Sequence, residues 1–309
     1  MEVVEQKPSS GYGKPPWVFR GSALYQLHLV KAEKAQACIP KEFKLVQAFG
    51  YTLGGFFLAS YEDSPAGVFD ELVVIAGLVW NRPTSCAWAT KVYVNSDEAC
   101  NHGRKEVGLP SEKARFSKTI EAISRQPRGI MSEFSDMIGI NDMFFNPKDH
   151  MNVQVTKVKC LDQADSCNIS LTSAVAVPAL SWMGPAIKMS LPSFSGGTMY
   201  NPNLLKYSCQ IECRVQAVQP MKVSSAMPLT NGDKDQSLED HRANSLVVGD
   251  DQNDRQNLIN YVMLSKPILA LKFNQMRMQV EAPIVLSQCS KSSETSVSSV
   301  PLSNIERFV

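Results

Sequence analysis

Long apolar, β-branched and aromatic runs, separated by Gly, Pro and Asn, constrain the fold of this chain more than any other feature. Nine such runs are found at 43–49, 51–61, 71–80, 86–94, 114–123, 152–160, 168–177, 204–218 and 267–283. Runs of this composition between turn residues predict β-strands. Because little helical sequence lies between them, we expect strands that pair mainly with antiparallel neighbours. The predicted fold class is α+β, mostly antiparallel β, with few short helices.

Two short helices are expected among the strands. The first is the Ala-rich stretch 31–38. The second begins after Ser96, a good N-cap residue, with Asp97 and Glu98 in its first turn and Gly108 just beyond its end. His102 is expected on the surface of this second helix.

The sequence predicts one domain with loose ends. Residues 1–16 are polar and rich in Pro and Gly, and predict a flexible arm; residues 17–286 form the domain, and the Ser-rich tail 287–309 is expected to be loose. Within the domain, a disordered acidic insertion is expected at about 220–262. Its stretch 231–257 contains seven acidic residues and no aromatic residue.

Composition excludes several function classes. A formal net charge of +1 gives no electrostatic reason to expect nucleic acid or an anionic membrane as a partner. No window is apolar for about 18 residues, so no transmembrane segment is expected. The first residues lack the apolar core of a secretory signal, and Glu2 and Glu5 argue against a transit peptide, so the expected localisation is cytoplasmic.

The eight cysteines are expected to be reduced thiols, and no cofactor or metal is predicted. Cys209 and Cys213 share one face of a predicted strand with Tyr207, Ile211 and Val215. That face is either a buried apolar surface or half of a metal site, and no nearby CxxC or His pair completes the latter.

Four short motifs occur in a fixed order along the chain. They are Arg20 before a strand predicted at 25–29 from its alternating apolar residues, Phe69-Asp70-Glu71 at a strand start, Gly103-Arg104 with Gly108-Leu109-Pro110, and Trp182-Met183-Gly184-Pro185. Together they resemble the acetoacetate decarboxylase family, over roughly 20–283. The resemblance implies an antiparallel β-cone or barrel around a closed cavity. The runs 11–21 and 95–110 resemble a plant subgroup of that family, which implies a requirement for forming neoxanthin, a xanthophyll upstream of abscisic acid, and leaves a plastid location open.

The family's chemistry depends on a lysine that this chain lacks at the usual place. In the decarboxylases, a lysine after the proline forms a Schiff base with a β-keto acid, and its amine must be unprotonated. Here Ser111 and Glu112 follow Pro110. Serine cannot form a Schiff base, and a glutamate would raise the pKa of a neighbouring amine. Lys113 lies one residue late, where a strand turns the side chain to the opposite face.

Each remaining candidate site residue has two interpretations. Glu71 is a proton-transfer group or anchor in the cavity, or a strand-end glutamate in solvent. Arg104 orients a carboxylate or carbonyl, or satisfies the last carbonyls of its helix. Arg20 supplies a second guanidinium to the cavity, or it takes no part in the site. Ser111 is a turn serine or a nucleophile, and Trp182 is a core aromatic or a surface for stacking on a ligand.

Three functions stay open. The first is a cavity that holds a small apolar or keto-type ligand and assists xanthophyll metabolism without Schiff-base decarboxylation. The second is a Schiff-base enzyme that uses Lys113 on a keto-type substrate. The third is a regulatory partner of a carotenoid-modifying enzyme, with 231–257 as the contact surface.

Overall fold

The computed structural model describes residues 13–121, 148–158, 168–176, 184–225 and 250–286. In chain order the elements are β1 (Trp17–Lys31), α1 (Ala32–Ala37), β2 (Tyr51–Asp63), β3 (Phe69–Asn81), β4 (Thr84–Val94), α2 (Asp97–Lys105), β5 (Ser111–Glu121), β6 (Lys148–Lys157), β7 (Asn168–Ala176), β8 (Ala186–Gly196), β9 (Leu204–Val218), β10 (Lys222–Ser225), α3 (Asp250–Leu264), β11 (Lys266–Val280) and β12 (Ile284–Leu286). None of the helices in these ranges has the length and apolar character that crossing a bilayer requires.

Seven strands close into a barrel in the order β4-β3-β2-β1-β11-β9-β8, with β8 pairing back to β4. The pairs are antiparallel except β4 with β8, which run parallel at Ala87 and Trp88. β5 also pairs parallel to β4, and it leads away from the barrel into an antiparallel sheet with β6, β7 and β10. The prediction of a mostly antiparallel β-barrel with few helices is confirmed.

Both faces of the central barrel strands are buried, which explains their nearly continuous apolar sequences. On β2, Phe57, Ala59 and Tyr61 point into the barrel, whereas Phe56 and Leu58 pack on the outside. The outer cluster also receives side chains from β6, β7, α1 and α3. The second sheet and the helices therefore cover the barrel wall from outside, while the inner face surrounds a separate core.

The two predicted helices are present. The second has its expected cap, because Ser96 Oγ accepts a hydrogen bond from the Ala99 amide at 3.2 Å. The strand predicted at 43–49 is wrong. This segment crosses the end of β3 with one isolated bridge between Leu45 and Val79, so Leu45 is buried without a hydrogen-bonded ladder.

The insertion predicted to be disordered at about 220–262 is ordered where the structure describes it. β10 begins at Lys222, and α3 packs Ile259, Val262 and Met263 into the outer cluster. α3 begins with two acidic residues, Asp250 and Asp251. Negative side chains interact favourably with the positive N-terminal end of a helix dipole, so these residues favour a helix here. Residues 226–249 lie outside the described residues, as do 1–12 of the predicted arm and the tail 287–309.

Candidate functional site

The inside of the barrel holds a cavity of about 130 Å³. Its wall is mostly apolar and aromatic, with six polar or ionisable contributors besides Tyr25 and Tyr61: Glu71, His102, Ser111, Ser193, Tyr207 and Cys209. Sites for drug-sized ligands measure roughly 300–1,000 Å³. A cavity of this size therefore fits a compact molecule and does not enclose a full xanthophyll, which is an extended polyene with a ring at each end.

Glu71 is the carboxyl group of the cavity wall. It lies on β3 between Ala59 of β2 and Val94 of β4, and the Tyr61 hydroxyl donates a hydrogen bond to Glu71 Oε2 at 2.8 Å. Burial raises the pKa of Glu71 to about 7, and the hydrogen bond from Tyr61 opposes that rise. The surface that Glu71 retains faces the cavity, so this carboxyl can hold or release a proton near neutral pH.

The other ionisable groups of the wall with a displaced pKa are uncharged near neutrality. Burial raises the pKa of Cys209 to about 12 and that of Tyr207 further, and the nearby Glu71 charge adds to both shifts. Burial also lowers the pKa of His102 to about 4. A neutral imidazole, a thiol and a phenol therefore share the cavity wall with Glu71, and none of them supplies a charge to a ligand.

The sequence predicted the environment of two of these residues, His102 and Cys209. The expectation that His102 lies on the helix surface is wrong, because its ring packs edge-on against Trp17 with 4.5 Å between centroids and lines the cavity. Cys209 and Cys213 occupy the inward face of β9 with Tyr207 and Ile211, as the apolar-face alternative predicts.

The turn between α2 and β5 places Ser111 in the cavity wall. The Leu109 amide donates to the Gly103 carbonyl at 2.8 Å, and Gly108 adopts a φ of +69°, a conformation that favours glycine. Ser111 then pairs with Val92 at the start of β5 and is 3% exposed. A Cβ at Gly103 would lie 2.7 Å from Ser111 Oγ, so glycine at this position leaves room for the hydroxyl.

Arg104 supports this turn from outside the cavity. Its Nε donates to the Ser111 carbonyl at 2.7 Å, and its guanidinium lies 4.5 Å from the centre of the Tyr200 ring. The prediction that Arg104 faces a ligand is wrong for this cavity, since the side chain does not contribute to the wall. Arg104 instead holds the backbone of the residue that follows Pro110.

Arg20 and Lys113 lie on the surface. Arg20 follows the inward-facing Phe19 on β1, so its side chain points outward and pairs with Asp63 at 2.7 Å. Lys113 Nζ pairs with Asp97 Oδ2 at 2.5 Å, with 43% of the lysine side chain exposed. The interpretations of Arg20 as a cavity guanidinium and of Lys113 as a cavity amine are therefore wrong in this structure.

Glu112 points away from Ser111 and pairs with Lys91 and, at 2.8 Å, with Lys157. Within the described ranges, no lysine contributes to the cavity wall. Trp182 lies outside the described residues, so its role stays a prediction. Glu71 and Ser111 are thus the two sequence candidates that the fold brings to one cavity.

Sequence reasoning missed Tyr61, Ser193 and Tyr207 as polar members of the wall. The available signal was strand alternation, because Tyr61 shares a face with Phe57 and Ala59, and Tyr207 shares one with Ile211. Ser193 could not be found this way, because the strand that carries it, β8, contains Pro192 and was not predicted.

Comparison with known proteins agrees with this architecture. No family model matches the chain. A solved structure of acetoacetate decarboxylase is similar over 94% of this chain and 97% of its own, with a TM-score of 0.50 and 9% sequence identity. The fold is therefore that of acetoacetate decarboxylase-like proteins, a closed barrel around an internal cavity.

Two curated plant proteins resemble the chain along nearly its whole length. Protein NEOXANTHIN-DEFICIENT 1 of Solanum lycopersicum is 59% identical over 293 residues, which cover 94% of this chain and 99% of the relative. The protein of the same name from Arabidopsis thaliana is 58% identical over 286 residues, covering 93% and 99%. The chain belongs to the NEOXANTHIN-DEFICIENT 1 family, and the plant subgroup predicted from the two sequence runs is confirmed.

Proposed function

We propose that this protein acts in neoxanthin formation by holding a compact, uncharged carbonyl compound in the barrel cavity, without forming a Schiff base. The name of its relatives supports the pathway. The observation that carries the rest is the cavity wall itself. Within the described residues it presents a titratable carboxyl on Glu71 and a hydroxyl on Ser111, but no amine.

The charge of the ligand follows from the wall. An anionic ligand buried in an apolar site needs a cation or several donors to replace its water. The described wall contains no lysine or arginine, and His102 is neutral because burial lowers its pKa to about 4. An ionised keto acid would also be repelled by the Glu71 carboxylate above pH 7. An uncharged ketone, aldehyde or ester suits the site better.

Glu71 supplies the chemistry in this proposal. Below its pKa of about 7 the carboxyl carries a proton that it can donate to a carbonyl oxygen. Above that pH the carboxylate can accept a proton, for example from a carbon next to the carbonyl. Hydrogen bonds strengthen in an apolar enclosed site, so one well-placed carboxyl can orient a small ligand.

The Schiff-base alternative has no support from the described wall. Lys113 would have to leave Asp97 and turn away from solvent to reach the cavity. The regulatory alternative stays a prediction, because most of 231–257 lies outside the described residues.

Calorimetric titration tests the proposal with two ligands of similar size and different charge. We expect acetylacetone to bind more tightly than acetoacetate at pH 8, and the Glu71→Gln variant to show a smaller preference, because it removes the repulsion by the carboxylate but adds no cation to the wall. Lys113→Ala is the matched surface control and should bind as the wild type does. Tighter binding of acetoacetate, or no binding of either compound, would contradict the proposal.

Borohydride reduction in the presence of each compound, followed by peptide mass spectrometry, tests the absence of an imine. We expect unmodified lysines throughout. A reduced adduct on Lys113, or on any other lysine, would show that the protein is a Schiff-base enzyme.

A further inference from the structure

One end of the barrel leaves large apolar side chains in solvent. Six residues form this apolar rim, with exposed fractions of 100% for Phe49, 45% for Trp80, 41% for Tyr51, 36% for Leu53, 45% for Ile268 and 39% for Leu269. They make up half of the twelve large exposed apolar residues in the described chain. Such a concentration marks an interaction surface, since single exposed apolar residues are ordinary and contiguous ones are not.

The sheet register brings these residues together. β2 begins where β1 ends and where β11 begins, with Leu53 opposite Leu29 and Leu27 opposite Leu269. Phe49 lies in the turn that leads into β2. Trp80 lies at the end of the next strand, β3, where its amide donates to the Lys44 carbonyl at 2.8 Å.

The turn at 49–50, at the tip of the rim, has a backbone conformation that is unfavourable for phenylalanine. Phe49 adopts a φ of +52° and is followed by Gly50 at +78°. Bulky side chains rarely adopt this left-handed conformation. A fully exposed Phe49 gains no packing energy from the described part of the molecule that would offset this cost. The side chain is therefore placed to contact something other than the described part of the chain.

The charges around the rim favour an anionic partner. The segments that carry the rim, 29–54, 78–84 and 264–270, contain six lysine and arginine residues and two acids, whereas the whole chain has 31 basic and 30 acidic residues. Lys31 lies directly opposite Tyr51, and Lys266 lies opposite Leu29, and both lysines are exposed. Aromatic rings interleaved with lysines are the pattern of proteins that lie on an anionic bilayer surface.

We propose that the apolar rim docks on a bilayer surface that contains anionic lipid, with Phe49 and Trp80 entering the boundary between headgroups and acyl chains. The surrounding lysines contact the headgroups. This inference goes beyond the proposed function and does not depend on what the cavity binds.

The rim is continuous with the inner face of the barrel. Along β1 the inward positions run Leu29, Leu27 and Tyr25, and along β2 they run Leu53, Gly55 and Phe57. Tyr25 and Phe57 line the cavity. An apolar surface therefore extends from the docking face to the ligand cavity.

Flotation with vesicles tests the docking. Purified wild-type protein is mixed with vesicles of phosphatidylcholine alone or with about a third phosphatidylglycerol, a mixture that gives a clearly negative surface. We expect binding to the mixed vesicles that weakens as salt rises. Phe49→Glu and the double variant Lys31→Glu/Lys266→Glu should each bind roughly tenfold more weakly or worse.

Val68→Glu is the matched control, because Val68 is 78% exposed and lies in the turn at the opposite end of β2. It should bind as the wild type does. Phe49 is fully exposed, so its replacement leaves the core intact, and thermal unfolding of each variant checks this. Failure of the wild type to float, or equal flotation of Phe49→Glu, would overturn the proposal. A wild-type dimer in analytical ultracentrifugation that Phe49→Glu converts to monomer would overturn it too, since the rim would then be a contact between two copies.

Discussion

The protonation of Glu71 is set by its surroundings on β3. The side chain shares the cavity with aromatic and aliphatic groups and has the Tyr61 hydroxyl as its hydrogen-bond donor. Removing water disfavours the charged carboxylate, and one hydrogen bond recovers only part of that loss. The pKa therefore rises from 4.5 to about 7, which makes Glu71 a proton donor and acceptor at the pH of most cell compartments.

The raised pKa predicts that Glu71 makes stability depend on pH. Between about pH 4.5 and pH 7 the unfolded chain releases this proton while the folded protein keeps it, so the wild type loses stability as pH rises. Glu71→Gln removes this loss, and its stability relative to the wild type should increase over that window by on the order of 3 kcal/mol. Urea unfolding at pH 4.5 and pH 8 measures the difference, in which contributions from other groups cancel. A difference that does not change with pH would show that Glu71 has the same pKa in the folded protein as in the unfolded chain.

At this scale the sequence located residues better than it oriented them. Glu71 and Ser111 were found because each lies in or directly after a motif that resembles the acetoacetate decarboxylase family. Arg20 was assigned to the wrong face, although alternation with Trp17 and Phe19 predicts that it points outward. Lys113 pairs with Asp97, which lies at the start of α2. The spacing of residues within a motif does not show which side chain of a neighbouring element will lie beside Lys113.

At the scale of elements, β1 holds two distant parts of the chain through a buried polar cluster. Gln26 Oε1 accepts from the Met221 amide at 2.7 Å, and Gln26 Nε2 donates to the Met221 carbonyl at 3.1 Å. His28 Nε2 lies 2.9 Å from Gln26 Nε2, and His28 Nδ1 lies 3.0 Å from the Val262 carbonyl. These contacts fit a neutral imidazole that donates from Nδ1 and accepts at Nε2. Met221 precedes β10 and Val262 belongs to α3, so the cluster secures both to the barrel.

Replacement of Gln26 should therefore cost far more than replacement of a surface glutamine. Gln26→Leu leaves the Met221 amide and the His28 Nε2 acceptor without the partners that they have now, and each such loss costs about 1–3 kcal/mol. We expect a decrease of about 2–5 kcal/mol in the free energy of unfolding. Gln210→Leu, on the exposed face of β9, should change it by less than about 0.5 kcal/mol. Similar values for the two variants would show that the cluster does not hold β10 and α3 in place.

Two elements that the sequence missed, α3 and β8, are held in place by contacts with distant parts of the chain. α3 was assigned to disorder because its acids and lack of aromatic residues dominate the composition, whereas its stability comes from three apolar side chains packed on the barrel. β8 was missed because Pro192 and its alternating polar residues obscure the pattern, and its pairing with β9 is a long-range contact. Strands with both faces buried were predicted well, because their composition alone identifies them.

At the scale of the whole molecule, averages over the chain concealed the distribution of charge. The net charge of +1 argued against an anionic partner, yet the rim segments carry six basic and two acidic residues. The closed barrel could be predicted from family motifs, but the volume of its cavity could not. That volume depends on how aromatic side chains from strands far apart in sequence fill the interior.

Complementation of plants that lack the protein tests the central claim most directly, namely that the cavity acts through Glu71 and without a lysine. Neoxanthin is measured in leaves of plants that express the wild type, Glu71→Gln or Lys113→Ala at equal protein abundance. We predict that Lys113→Ala restores neoxanthin to the wild-type level and that Glu71→Gln leaves it at the level of plants without the protein. Full restoration by Glu71→Gln, or failure of Lys113→Ala, would contradict the account.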